Sequence, residues 1–168
     1  MKGKQVAILE SRLGTQVAEL VAKHGGIPFH APALAELPDL DAAQIGELVR
    51  SLEAKPARLF IFQTGVGTKA LFAALDALKL TDQFSSFLGK SIVAARGPKP
   101  TGALRARNVR IDRSAADPFT TKEILEAVKD VDVKGRVIIQ RHGTVNTELD
   151  RALEARGATL AEIPTYRW

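Results

Sequence analysis

Three polar stretches in this chain follow apolar runs, and each combines glycine with hydroxyl or cationic residues. Gln63-Thr64-Gly65-Val66-Gly67-Thr68 follows Leu59-Phe60-Ile61-Phe62. Arg96-Gly97-Pro98-Lys99-Pro100 follows Ser91-Ile92-Val93-Ala94-Ala95. Arg141-His142-Gly143-Thr144 follows Val137-Ile138-Ile139-Gln140. Glycine permits close backbone approach, and Arg and Lys suit carboxylate or phosphate ligands. Thr64 and Thr68 read either as hydroxyls of an anion cradle or as caps of a tight strand-to-helix turn. Arg96 and Lys99 read either as ligand cations or as a solvated turn. His142 reads as an acid/base group or as a loop donor. Arg12, after Val6-Ala7-Ile8-Leu9, is a fourth cation in the same kind of position. Tyr166 follows the last apolar run, where its hydroxyl could reach a cleft or simply pack.

Elements must place these stretches together. Short apolar runs alternate with segments of helical spacing along the chain: helix over 13–23, extended 27–34, helix 42–53, strand 59–62, helix 70–80, strand 91–95, helix 101–107, a minor strand at 109–111, helix 120–128, strand 137–140, helix 147–156 and strand 158–163. Strand–helix alternation predicts an α/β fold with a parallel sheet covered by helices on both faces. In such sheets ligands bind beyond the carboxyl ends of the strands, where helix N-termini favour anions. The polar stretches fall at that edge.

Composition narrows the chemistry. The chain has 168 residues, 45% hydrophobic and 26% charged, with a formal net charge of +5. That balance favours an acidic partner, but no run of five basic residues suggests a nucleic-acid tail. Cysteine is absent, which excludes disulfides, thiolate metal sites and a Cys nucleophile. No His or carboxylate pair has metal-ligand spacing, so no metal is expected. Aromatic residues are 5%, so an aliphatic core is expected. No signal-peptide pattern and no apolar run of membrane-spanning length occur, which makes a cytoplasmic location, away from membranes, the expectation.

Two patterns invite other readings. Gly65-x-Gly67-x-x-Ala70 fits a dinucleotide fingerprint, with Arg96 suited to a 2′-phosphate, and would make the chain an NADP-type nucleotide-binding module. A non-catalytic anion-binding α/β domain is the third reading. A receiver-like module is disfavoured, because Glu10 is the only acid at a main strand exit.

In order and spacing the segments resemble the uroporphyrinogen-III synthase family. They are Val6 to Arg12 with Gly25-Gly26-Ile27-Pro28; Phe60 to Gly67; Val93 to Pro100 with Ala103-Leu104; and Gly135 to Gly143 followed by Leu149, Leu153, Gly157 and Pro164-Thr165-Tyr166-Arg167-Trp168. The resemblance implies two flavodoxin-like lobes joined by two strand-like linkers. Residues 1–34 would be the first strand and helix of lobe one with the outgoing linker. Residues 35–164 would be a complete inserted lobe two, and 165–168 would begin the return linker. The chain would then be truncated and weak or inactive alone, and it could swap or pair by an edge, the full-length protein being a monomer. The implied enzyme is a lyase of the hydro-lyase type. It closes hydroxymethylbilane, a polycarboxylate, to uroporphyrinogen III with inversion of ring D, in tetrapyrrole (haem) biosynthesis and without a cofactor. Tyr166 matches the family's linker tyrosine, a candidate to assist departure of water. Thr64 matches its hydroxyl residue, and the Arg96-Gly97 loop a substrate-facing segment. Substrate contacts are expected from Arg12, Thr64, Gly65, Arg96, Gly97, Lys99, Arg141, His142 and Gly143. Gln63, Gly65-Val66 and Arg141-His142 depart from the family's usual residues.

Overall fold

A computed structural model describes residues 1–34, 37, 38, 40–141 and 145–167, with the backbone alone for 37, 38, 166 and 167. Contacts divide the chain into Met1–Leu37 and Pro38–Arg167.

The first unit is β1 (Gln5–Ile8), α1 (Gly14–Lys23) and β2 (Ile27–His30), with β1 and β2 parallel. Gly25, at φ +75°, ends α1. The Gly25 and Gly26 N–H groups donate to the carbonyls of Ala22 and Val21, a left-handed stop that suits glycine. Ile8 and Val21 are buried, while Leu13, Leu20, Ile27 and Phe29 are exposed.

β3 (Leu37–Pro38) pairs with β9 (Tyr166–Arg167). The second unit contains α2 (Ala42–Ala54), β4 (Ala57–Phe62), α3 (Gly65–Ala77), α4 (Thr81–Gly89), β5 (Ile92–Ala95), α5 (Pro98–Arg105), β6 (Arg113–Ser114), α6 (Thr121–Ala127), β7 (Gly135–Arg141), α7 (Thr147–Glu154) and β8 (Ala158–Pro164). Five strands form one parallel sheet in the order β6-β5-β4-β7-β8. Counted from β4, that order is 3-2-1-4-5, a doubly wound sheet whose direction switches between β4 and β7. Read from the other edge and counted from β7, the same sheet is 2-1-3-4-5, the flavodoxin order entered at a different strand, so the flavodoxin-like expectation is met.

Helices cover both faces. Phe60, Phe62, Ala95 and Ile138 meet α2, α3, α4 and α5, while Leu59, Ile61, Ala94, Val137 and Ile139 meet α6 and α7. Burial on both faces is why β4 reads as an unbroken apolar run. The aliphatic core holds for the α6–α7 side. On the other face Phe60, Phe72 and Phe84 pack edge to face, with centroids 5.6 Å apart for Phe60–Phe84 and 6.1 Å for Phe72–Phe84. Phe60, Phe62, Phe72 and Phe84 are all buried on this face, while Phe119 packs at the margin of the other.

Several boundaries differ from the sequence expectation. α3 begins at Gly65, so Gly65 to Thr68 is its first turn and not a loop. α5 begins at Pro98, which puts Lys99 in its first turn. The expected strand at 109–111 is replaced by β6. Here Asp112 intervenes: its carboxylate accepts from Val93 N at 2.9 Å, and its own N–H donates to Val93 O. α4 follows a Thr81-Asp82-Gln83 start and buries Phe84 and Leu88. No helix among the described residues is long and apolar enough to cross a membrane.

Candidate functional site at the carboxyl edge of the sheet

β4 and β7 stay paired as far as Phe62 and Gln140 at the switch, and a single side chain ties together the segments beyond them. Gln140 Oε1 accepts from the backbone N–H of Gln63 (3.2 Å) and of Thr64 (3.1 Å). Its Nε2 donates to Arg141 O (2.8 Å) and to Thr165 Oγ1 (3.0 Å). The Thr165 hydroxyl donates to Arg141 O at 2.7 Å. Gln140 and Thr165 are both buried, at 1% exposure each. A buried amide with both ends engaged is stable only while every partner remains in place, so the exits of β4, β7 and β8 are held as one unit.

Glycine is required beside this network. A Cβ on Gly67 would lie 2.8 Å from Gln140 Cδ and closer still to Nε2 and Thr165 Oγ1. The Gly-x-Gly-x-x-Ala pattern therefore makes room for a protein side chain. In a dinucleotide site that second glycine would face the pyrophosphate. Gly65 similarly lets α3 approach α5: its Cβ would lie 2.7 Å from Lys99 O. Two helix N-termini consequently sit side by side at the ends of β4 and β5, each a partial positive charge.

Each expected site residue can now be placed. Thr64 is the N-cap of α3, its hydroxyl accepting from Gly67 N at 3.1 Å. Arg96 is half-buried, and its N–H donates to Phe62 O at 2.9 Å. Gly97 caps α5 in an extended conformation. The Phe119 ring lies 3.2 Å from where a Gly97 Cβ would be, and Phe119 itself has φ +60°. That is an uncommon backbone for a bulky residue. Lys99 is exposed. Arg12 is exposed in the first unit, its N–H donating to Glu10 Oε1 at 2.7 Å. The N–H groups of Arg12 and Leu13 hold the Glu10 carboxyl below its ordinary pKa.

Arg141 corrects its loop placement. It is the last residue of β7 and is 3% exposed. Its Nη2 pairs with Asp150 of α7, and its Nε lies 3.1 Å from Glu162 Oε1 of β8. Sequence spacing hid this, because both acids come from elements that follow β7. His142, Gly143 and the Tyr166 hydroxyl lie outside the described residues.

Gln140, Thr165 and Phe119 were missed as site residues. For Gln140 a signal existed. Two residues beyond Ile138, it takes the strand face covered by α3, where a polar side chain must find partners. Elsewhere the basic residues have other work. Arg156 Nη2 donates to the carbonyls of Val128, Lys129 and Val131 after α6, and Arg110 Nη2 to Ser91 O after α4. A cleft of about 800 Å³ opens at the amino edge, lined by Arg58, Lys90, Arg110, Arg113, Asp130 and Asp132. Asp112 and Asp130 already engage Arg110 and Arg113 there, so it does not share the chemistry of the carboxyl edge.

Known proteins resemble this arrangement over almost the whole chain. A relative in Bacillus subtilis (strain 168), named as the uncharacterized protein YjjA, is 30% identical over 166 residues, covering 98% of this chain and 61% of its own length. Among solved structures, a mutant uroporphyrinogen III synthase of the extremely thermophilic bacterium Thermus thermophilus superposes with a TM-score of 0.75 at 26% identity, over 98% of this chain and 62% of that one. The wild-type enzyme gives a TM-score of 0.66 at 27% identity and the same coverage. The chain thus spans about three-fifths of the length of these relatives. The family model of uroporphyrinogen-III synthase matches residues 15–168, and with that match the chain belongs to the uroporphyrinogen-III synthase family.

Proposed function

We propose that this chain supplies one face of a uroporphyrinogen-III synthase, a cytoplasmic lyase that cyclises hydroxymethylbilane to uroporphyrinogen III with inversion of ring D and without a cofactor. The carrying observation is the Gln140 lock, which fixes Thr64, Arg141 O and Thr165 together beside the α3 and α5 N-termini. Substrate carboxylates would meet those N-termini together with Arg96 and Lys99. Arg12, Gly65, Gly97, His142 and Gly143 are proposed as further contacts.

The reaction needs the hydroxymethyl hydroxyl to leave as water. Tyr166, directly after the locked Thr165, is the proposed proton donor for that departure. The cationic chain end then cyclises through a spiro intermediate, and the protein's main contribution is holding the two chain ends close. Little side-chain chemistry is required, in keeping with an edge whose donors are largely backbone N–H groups.

The test is isomer analysis of the product from hydroxymethylbilane, for the 168-residue chain and for the longer gene product if one continues beyond Trp168. The longer product is expected to yield the type III isomer and the chain itself little. Tyr166→Phe should slow type III formation at least about tenfold, since a positioned acid contributes on the order of a hundredfold or more. Type I product alone from every form would remove the enzymatic reading.

A further inference from the structure

The amino edge of the sheet, about 20 Å from the carboxyl edge along the six residues of β4, holds cations that the fold does not use. Strand pairing is irregular there. Ala57 pairs with Arg136 but Leu59 with Val137, so Arg58 is an extra residue in β4. Core packing agrees: Ala57 and Phe60 both join the α2–α5 core although they are three residues apart. A bulge re-aims the side chain it carries. Arg58 lines the cleft of about 800 Å³ at the starts of β4, β5 and β6, and Lys90 lines it from just before β5. The register Leu59↔Ile92, extended one step back, sets Arg58 beside Ser91, the neighbour of Lys90.

The other charges around this cleft are matched within the protein. Arg110 pairs with Asp112, and Arg113 with Asp130. Helix C-termini end at this edge, and their carbonyls repel anions. Those carbonyls are covered: Arg110 donates to Gly89 O and Ser91 O, Arg136 to Lys55 O, and Arg156 to Val128 O and Val131 O. Arg58 and Lys90 are exposed and have no carboxylate partner among the described residues. They face one further acid, Asp132, whose Oδ1 accepts from Lys134 N at 3.0 Å. Two unpaired cations suit a dianion. A phosphate monoester carries about −1.5 to −2 charges at pH 7, whereas a carboxylate brings one. Asp132 opposes either, which limits affinity to the millimolar range. A second groove of about 370 Å³ adjoins the cleft at Pro56, Ala57, Lys90 and Ser91, with Leu52 and Phe87 among its walls. It gives the organic part of a ligand an apolar seat beside the cations.

We infer that Arg58 and Lys90 bind the phosphate of an organic phosphate monoester at the amino edge, with its apolar group in the Leu52–Phe87 groove. The site does not depend on the ring-closing activity and is tested by binding alone. The probe is phenyl phosphate, titrated into the 168-residue chain and followed by backbone amide NMR signals. Inorganic phosphate and benzoate at equal ionic strength are the comparisons. The Arg58, Lys90 and Ser91 amides should shift with phenyl phosphate and saturate in the millimolar range. Inorganic phosphate lacks the ring and should bind at least about fivefold more weakly. Benzoate has the ring but one charge and should bind at least about tenfold more weakly. Arg58→Gln and Lys90→Gln remove no ion pair within the protein, so each should fold and weaken phenyl phosphate binding at least about tenfold. Shifts confined to Thr64 and Gly97 would put the anion at the helix N-termini and overturn the site. It would be overturned equally by unshifted Arg58 and Lys90 signals at 50 mM phenyl phosphate, by benzoate or inorganic phosphate binding as tightly, or by undiminished binding in either variant. Should a variant not fold, the ranking of the three anions on the unmutated chain decides.

Discussion

Gly67 and Gly102 are both helical glycines, and their surroundings predict opposite results for the same substitution. Alanine normally stabilises a helix interior by about 1 kcal/mol relative to glycine. At Gly102, within α5, an added Cβ meets nothing within 4 Å, so Gly102→Ala should gain about 0.5–1 kcal/mol in denaturant unfolding. At Gly67 the added methyl would press on Gln140 and Thr165, neither of which can move without breaking buried hydrogen bonds. Gly67→Ala should therefore cost about 2–3 kcal/mol despite the helix gain. Gln140→Leu should cost a comparable amount, about 3 kcal/mol, by leaving the Gln63 and Thr64 N–H groups unpaired. A neutral result at Gly67 would show that the lock is looser than its geometry implies.

At the scale of elements, β6 is held to β5 by Asp112 as well as by its two-residue ladder. Burial pushes the Asp112 carboxyl up, but hydrogen bonds from Arg110 and Val93 N–H, with the charges of Arg110 and Arg113, hold it below its ordinary value. A depressed folded pKa gives stability that is present above the unfolded value and is lost as pH falls through the folded one. Asp112→Asn should therefore lower stability at neutral pH while losing part of its dependence on acid, read as a flatter Tm profile below pH 4 or so. This tether also explains where sequence reading was limited. β4, β7 and β8 are legible because buried parallel strands are apolar runs bounded by turn residues. The segment 109–111 looks equally like a strand, yet a long-range carboxylate contact decides its pairing. Gly65 and Gly67 look like a loop because intrinsic propensity disfavours glycine in helices; crowding by Lys99 and Gln140 is invisible until the strands are ordered. Arg141 was legible as a cation at a strand end but not as a buried one, since Asp150 and Glu162 reach it only through the fold.

For the whole molecule, the two units differ sharply in what they bury. Of the buried hydrophobic residues, the first unit contributes Ile8 and Val21, whereas the second carries two extended clusters. A unit this short that buries two large apolar side chains is marginal in water. Met1, Leu9, Leu13, Leu20, Ile27, Phe29 and Leu34 are all more than half exposed. Local opening requires only the breaking of contacts within the opening segment, so the β1 and β2 amides should exchange with little protection. The β4 and β7 amides are buried on both faces and should exchange only through global unfolding. Hydrogen exchange on the chain should therefore resolve two classes, with β1–β2 faster by at least about a hundredfold, equivalent to some 2.7 kcal/mol. Leu20→Lys removes exposed apolar surface without touching Ile8 or Val21. It should leave both classes unchanged while reducing any concentration-dependent self-association measured by sedimentation. Equal protection of β1 and β4 would require that the apolar surface of the first unit be covered in solution, and light scattering on the same sample would show whether a second copy covers it.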